Sequence, residues 1–266
     1  DGVVSNNRLD TSKKLGIDYE SLSKLNDQLI YVEISGYGPL GSRAKLAGFD
    51  LIMQGYSGAI ASEGKITDGH PDPVWSSSYI DFSTAYAAAA ALMAGLIKRS
   101  KSGKGQKAST SLYANAIAMQ SMRVVRIDEM SSPAQKWFKE NLPQLRSKKA
   151  TYTEIQESYQ KVVRAVDYRC YYRAYQTKDG GIALGTLALH ARKKLLDFLE
   201  MDDPRLDNPS YDYTTREAQN FSKELVQQFE NIFLERTTDE WFNELRSRDI
   251  PCEPIRFVEE IPDDDQ

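Results

Sequence analysis

Leu29-Ile30-Tyr31-Val32-Glu33-Ile34-Ser35, stopped by Gly36, is the stretch on which the fold turns. Its β-branched and aromatic residues predict a buried strand, and the glycine predicts a turn. Working outward, Asp18 to Asn26 places Tyr19, Leu22 and Leu25 on one helical face, so a helix should precede the strand. Residues 36–80 are dense in Gly, Ser, Pro and Asp and predict loop with short helices. Residues 82–99, rich in Ala, Leu and Met, predict the strongest helix of the chain. A basic loop, Ser100 to Gly105, leads to a short strand at Gln106–Leu112 and a helix from about Tyr113 to Val125.

Farther along, a polar, helix-rich stretch runs from about 128 to 166, and the texture changes near Tyr168. Lys178-Asp179-Gly180-Gly181 separates two β-prone runs, 170–176 and 182–186, which is a hairpin signal. Helices are expected near 188–199 and 215–235, and Thr237-x-x-Glu240 has the form of a capping box opening a last helix that Pro251 ends. This gives a large domain over 1–150, a small α+β domain over 151–255, and the start of a return segment over 256–266.

The 266 residues carry a formal net charge of -4, with 41% hydrophobic and 27% charged residues, the balance of a globular protein. A nucleic-acid binder would carry a basic excess, so no nucleic-acid partner is expected. Cys170, Cys252, His70 and His190 have no metal-ligand spacing, so no metal site is expected. Two cysteines make no disulfide framework, and a reducing, cytoplasmic setting fits. The apolar run Ala85 to Ile97 is too short to span a bilayer, so no membrane partner is expected and the run reads as a buried helix. The chain begins at Asp1 without Met and ends in Asp263-Asp264-Asp265-Gln266; both ends read as cut from something longer.

Gly36-x-Gly38-x-x-Gly41 follows a strand with the spacing of a dinucleotide fingerprint. That fingerprint needs a helix opening within the glycines and an acid closing the next strand, whereas Pro39 sits in the middle and position 56 is Tyr. A tight turn is the better reading.

Taken in order, Lys14-Leu15-Gly16-Ile17-Asp18-Tyr19-Glu20, Leu29 to Gly38, Gly48-Phe49-Asp50, Gln54-x-x-Ser57-Gly58, Asp81 before the Ala-rich helix, Gly103-Lys104-Gly105-Gln106, Tyr175-x-x-x-Asp179-Gly180 and Ile250-Pro251-Cys252-x-Pro254 cover most of the chain. In that sequence they resemble the family III CoA-transferases, the superfamily of formyl-CoA transferase, carnitine CoA-transferase and α-methylacyl-CoA racemase. The resemblance implies an α/β fold, with an incomplete Rossmann-like large domain and a small α+β domain. The family's segments before Asp1 and after Gln266 have no counterpart. Nor does the glycine-rich loop of the formyl-CoA enzymes between residues 127 and 170, which argues against a formyl or oxalyl substrate.

The resemblance further implies CoA transfer from an acyl-CoA to a carboxylic acid acceptor, with no permanently bound cofactor. Asp81 would be the catalytic nucleophile, passing through an acyl–aspartyl anhydride and an aspartyl–CoA thioester. Read by itself, Asp81 is the N-cap of the Ala-rich helix, accepting the N–H of Ser83 or Thr84. Asp50 falls on an acidic position lining the family's site, or is another helix-opening acid. Asn6, Asn7, Arg8 and Lys14 match the segment that holds the CoA nucleotide, where amide and cationic groups suit phosphate. Lys13 and Lys14 read equally well as a solvated helix face.

Phe49, Trp75, Tyr172 and Tyr175 are candidates for an acyl pocket or for core. His70 is expected exposed, and His190 on a helix. A racemase would place a His where Phe49 stands, and Phe cannot move a proton. A non-catalytic CoA-binding or scaffold domain is the remaining alternative. Relatives form interlocked homodimers, so a homodimer or a second chain supplying the missing segments is expected.

Overall fold

In the computed structural model, which describes residues 2–125, 133–165, 169–208, 210–212 and 215–263, the chain opens with β1 (Gly2–Ser5), α1 (Leu9–Leu15) and the single-turn α2 (Tyr19–Leu22). α2 is shorter than its apolar spacing predicts, because Leu25 is exposed and Asn26 and Asp27 break the helix. β2 (Ile30–Ser35) is the strand expected from sequence. The following loop carries α3 (Asp50–Tyr56), α4 (Ala59–Glu63) and a two-rung hairpin of β3 (Ile66–Thr67) and β4 (His70–Pro71). No helix opens among Gly36, Gly38 and Gly41.

α5 (Tyr79–Ser102), β5 (Gln106–Ser111), α6 (Leu112–Met119) and α7 (Ser121–Val124) follow. β1, β2 and β5 form a parallel sheet in that order, with Val4 paired to Val32 and Val32 to Ala108. β2 is central, so Ile30, Tyr31 and Val32 lie wholly buried, as a strand flanked on both sides requires.

α5 is not the fully buried helix its composition suggests. Ile80, Thr84, Ala88 and Gly95 form its buried stripe, while Phe82, Tyr86, Met93 and Ile97 are exposed. The stripe packs on the sheet through small residues: a Cβ on Gly95 would come within 2.5 Å of Ile30 Cγ2. By length and composition alone α5 would suffice to cross a bilayer, a test that core helices also pass.

α8 (Pro133–Ser147) and α9 (Tyr152–Ala165) are divided between two compact units, Asp1–Ser132 with Leu142–Glu157 and Pro133–Asn141 with Ser158–Gln266. The expected boundary at 150 therefore needs correcting. Trp137 and Phe138 pack on Tyr159 in the second unit, whereas the Gln156 amide donates to Ala61 O in the first, at 3.0 Å. Tyr168, where the sequence changes texture, lies outside the described residues, and residues 256–263 belong to the second unit.

The second unit holds β6 (Tyr172–Gln176), β7 (Gly181–Gly185), α10 (Leu189–Leu199), α11 (Arg216–Phe233), α12 (Thr238–Ser247) and β8 (Cys252–Pro254). β6 and β7 are the expected hairpin, and β8 adds an antiparallel strand beyond β7. The Asp179 carboxylate at the turn accepts the Thr238 N–H at 2.8 Å, tying the hairpin to α12. Thr237 and Glu240 form the predicted capping box. The core is aromatic, with Tyr175 stacked on Phe233 and Trp241 donating to Phe233 O. Within it, the Arg205 guanidinium grips the Asp203 carboxylate, which also accepts from Tyr171 Oη, and Arg205 donates to Ser222 Oγ.

Candidate active site

The carboxyl ends of parallel strands are where α/β sheets offer ligand crevices. In the first unit a cleft of about 590 Å³ opens there, reached by Asn6, Asn7 and Arg8 beyond β1, by Ile34 to Gly36 at the end of β2, and by Leu112 opening α6. Its opposite wall is the 44–49 loop, including Lys45 and Phe49, together with Asp81 and Thr84 of α5. That is a size suited to a small-molecule ligand.

The cleft floor depends on two glycines. The segments carrying Gly36 and Gly48 cross so closely that a Cβ on Gly48 would lie 2.5 Å from Gly36 Cα, and one on Gly36 2.8 Å from Gly48 Cα. No side chain fits in either place.

Asp81 is not the N-cap. The helix begins at Tyr79 after Ser78, which makes no side-chain cap, and Asp81 is its third residue. The cap is supplied from α3: Asp50 Oδ2 accepts the N–H of Ile80 at 2.9 Å and of Asp81 at 3.2 Å. The hydroxyls of Ser83 and Thr84 donate to Ile80 O. Among the described residues no hydrogen bond or ion pair engages the Asp81 carboxylate, which faces the cleft. Asp81 is exposed, and partial desolvation of its carboxylate in the cleft wall raises its pKa above the ordinary value, with the nearby Asp50 charge adding to the rise. Burial and Asp50 likewise raise the Tyr79 phenol.

Asp50 is buried and lies behind the cleft wall, both of its oxygens engaged: Oδ2 as above and Oδ1 by the Gln54 amide at 2.6 Å. Its geometry is that of a helix-opening acid, one that opens α5 from a distance. Arg8 bridges the cleft mouth by donating to Lys45 O at 2.9 Å. Lys14 is not brought to the cleft; it stands exposed in the last turn of α1, about 9 Å along the axis from Arg8 at 1.5 Å per residue. Lys45, which the sequence reading passed over, takes its place as the second cation. The pair Arg43 and Lys45 inside a Gly-rich loop was the available signal.

Of the aromatic candidates, Phe49 lines the cleft and is 65% exposed, as an apolar wall for a ligand would be. Trp75 is exposed and donates to Asp72, and His70 is an exposed hairpin residue. Tyr175 is core, bonded to Cys170 O, while Tyr172 lies on the outer face of the second unit's sheet. His190 is exposed on α10. Cys170 and Cys252 are both buried, and burial pushes the Cys252 thiol up to about 11. Among the described residues no three His, Cys, Asp or Glu side chains converge as metal ligands do.

A parallel sheet whose strand ends open on a cation-flanked cleft, with a partnerless carboxylate in its wall, is the arrangement of an α/β protein with its crevice at the carboxyl ends of the strands. The chain belongs to CoA-transferase family III, whose sequence pattern matches residues 1–266. It is similar to human succinyl-CoA:glutarate CoA-transferase, 26% identical over 251 residues that cover 93% of this chain and 50% of that protein. The succinate–glutarate CoA-transferase of Agrobacterium fabrum is 41% identical over 106 residues, 40% of this chain and 26% of that one. Among solved structures, the CAIB/BAIF family protein of Brucella suis matches with a TM-score of 0.64 at 23% identity, covering 100% of this chain and 63% of that one, which is a likeness of fold. The chain thus spans about half the length of the relatives it matches end to end.

Proposed function

We propose that this chain carries the nucleophile-bearing part of a CoA-transferase that moves CoA from an acyl-CoA to a carboxylic acid. The observation that carries this reading is the partnerless Asp81 carboxylate in the wall of a cleft whose mouth holds Arg8 and Lys45. In this reading Asn6, Asn7, Arg8 and Lys45 receive the CoA nucleotide, Phe49 walls the acyl group, and Asp50 holds the start of α5.

An Asp81 oxygen attacks the thioester carbon, the C–S bond breaks, and CoA leaves as a thiolate, giving an acyl–aspartyl anhydride. The thiolate then attacks the aspartyl carbonyl, releasing the donor carboxylate and leaving an aspartyl–CoA thioester. The acceptor carboxylate attacks that thioester, the thiolate leaves again, and its return to the new acyl carbon regenerates Asp81. No net proton moves, so the site needs an ionised Asp81 rather than a general acid. The acid substrates in the relatives' names make succinate and glutarate the first to try.

A homodimer or a second chain is proposed to complete the site. The test is to incubate the chain with succinyl-CoA, reduce with borohydride, and search by mass spectrometry for a reduced Asp81 peptide, with Asp81→Asn beside it. A reduced residue in the parent alone supports the reading. Solvent deuterium entering the α-carbon of a branched acyl-CoA, with no adduct, would replace it with a racemase-like one.

A further inference from the structure

Gln54 is 2% exposed and every polar atom of its side chain is used. Its Oε1 accepts the Val74 N–H at 3.0 Å, and its Nε2 donates to Val74 O at 3.1 Å and to Asp50 Oδ1 at 2.6 Å. Flipping the amide would set its oxygen against both a carboxylate and a carbonyl, so the orientation is fixed by its partners. Gln54 and Asp50 stand one turn apart on α3, and Asp50 reaches the N–H groups of Ile80 and Asp81. A continuous path therefore runs from the Val74 backbone through Gln54 and Asp50 to the Asp81 backbone. Between its two ends lie Trp75, Ser76, Ser77 and Ser78, which belong to no helix or strand. An amide that bonds both backbone groups of one residue replaces the missing strand partner for this segment.

We propose that Gln54 is a positioning residue, whose amide clasps Val74 and Asp50 and thereby sets where α5 begins and where the Asp81 carboxylate stands. Its consequence for catalysis rests on the CoA-transfer reading; its consequence for the fold does not. Leucine at 54 keeps the bulk and removes all three bonds. Glutamate keeps the shape, but its ionised form cannot donate to Asp50 or Val74 O, and only the protonated acid restores a donor. The charged or titratable groups around it are Asp50 on its own helix and Tyr79 and Asp81 on α5.

Hydrogen exchange on the full chain reads the clasp without any turnover. In Gln54→Leu the amides of Val74, Ile80 and Asp81 should exchange about tenfold faster, the loss of roughly one net hydrogen bond, while the amides of β2 and β5 keep their protection. Turnover with succinyl-CoA reads its consequence. For Gln54→Leu, kcat should fall roughly a hundredfold, as a misplaced reacting group dictates, with KM for the thioester unchanged. For Gln54→Glu, the rate should recover in part as pH falls from alkaline values and the introduced acid regains its proton, down to the acid limb set by Asp81, whereas the parent should show no such rise. Unchanged exchange at the three amides, or equal losses in both variants at every pH, would overturn the proposal. A parent that never labels Asp81 would remove the CoA-transfer reading, and the exchange pattern would still decide the clasp.

Discussion

The carboxylate of Asp50 accepts the backbone N–H of Asp81 at 3.2 Å, so one acid fixes the main chain of another while its charge acts on that residue's side chain. The two effects separate on substitution. Asparagine at 50 retains an oxygen for the amides of Ile80 and Asp81 and removes the negative charge, though its own NH2 then faces the Gln54 amide and that bond is lost.

The Asp81 carboxyl is held above the ordinary carboxylate value, chiefly by partial desolvation and secondarily by Asp50. In the proposed mechanism the nucleophile is its ionised form, so transfer should fail as pH drops through this raised value. Asp50→Asn should lower the Asp81 pKa part of the way, leaving the desolvation contribution, and move the acid limb of kcat/KM to lower pH. Carbon-13 NMR of the Asp81 carboxyl checks this directly. A limb that stays in place, or moves up, would refute the assignment.

The glycine crossing predicts severe damage from the smallest possible insertion. Gly48→Ala must push a Cβ into the Gly36 backbone, which cannot yield as a side-chain tip could. A loss of about 3 kcal/mol, the upper end of overpacking costs, is expected in urea unfolding, together with loss of CoA binding.

In the second unit, Arg205→Met leaves the Asp203 carboxyl buried and deprived of its guanidinium partner. The expected cost is about 3–5 kcal/mol, measured by chemical denaturation, and pairing it with Asp203→Leu should recover a good part. The hydrogen bond from Tyr171 to Asp203 keeps the recovery incomplete.

Binding of CoA should distinguish the cations. Arg8→Ala and Lys45→Ala are each expected to weaken it about tenfold, or 1.4 kcal/mol, in calorimetric titrations at low salt. The loss should shrink as salt rises, since both side chains are exposed. Lys14→Ala, away from the cleft, should leave the affinity within about twofold, the range of exposed-charge effects.

What the sequence disclosed was whatever a local signal encodes. β2 declared itself through Ile30 to Ile34, the hairpin through Asp179-Gly180, and α12 through Thr237 and Glu240, each readable within a few residues. β1 and β8 escaped because Gly2–Ser5 is short and half exposed, and Cys252–Pro254 sits among prolines that predict a stop. The start of α5 was misplaced for a different reason. Its cap comes from Asp50, and no window around Asp81 contains that residue. The exposed side of α5 and the division of α8 are likewise matters of what packs where, which apolar content does not specify. Lys45 entered the site only because the chain crosses itself at Gly36 and Gly48.

That crossing closes residues 37–47 into a loop whose two ends touch. A loop fastened at its neck can lengthen, shorten or change composition without shifting its anchors, since added residues cost only a slowly growing closure entropy. Arg43, Ala44 and Lys45 all lie within it, so exchanging the loop alone would change the cationic rim of the cleft. The wall that carries Asp81 would keep its dimensions, because the neck at Gly36 and Gly48 stays fastened.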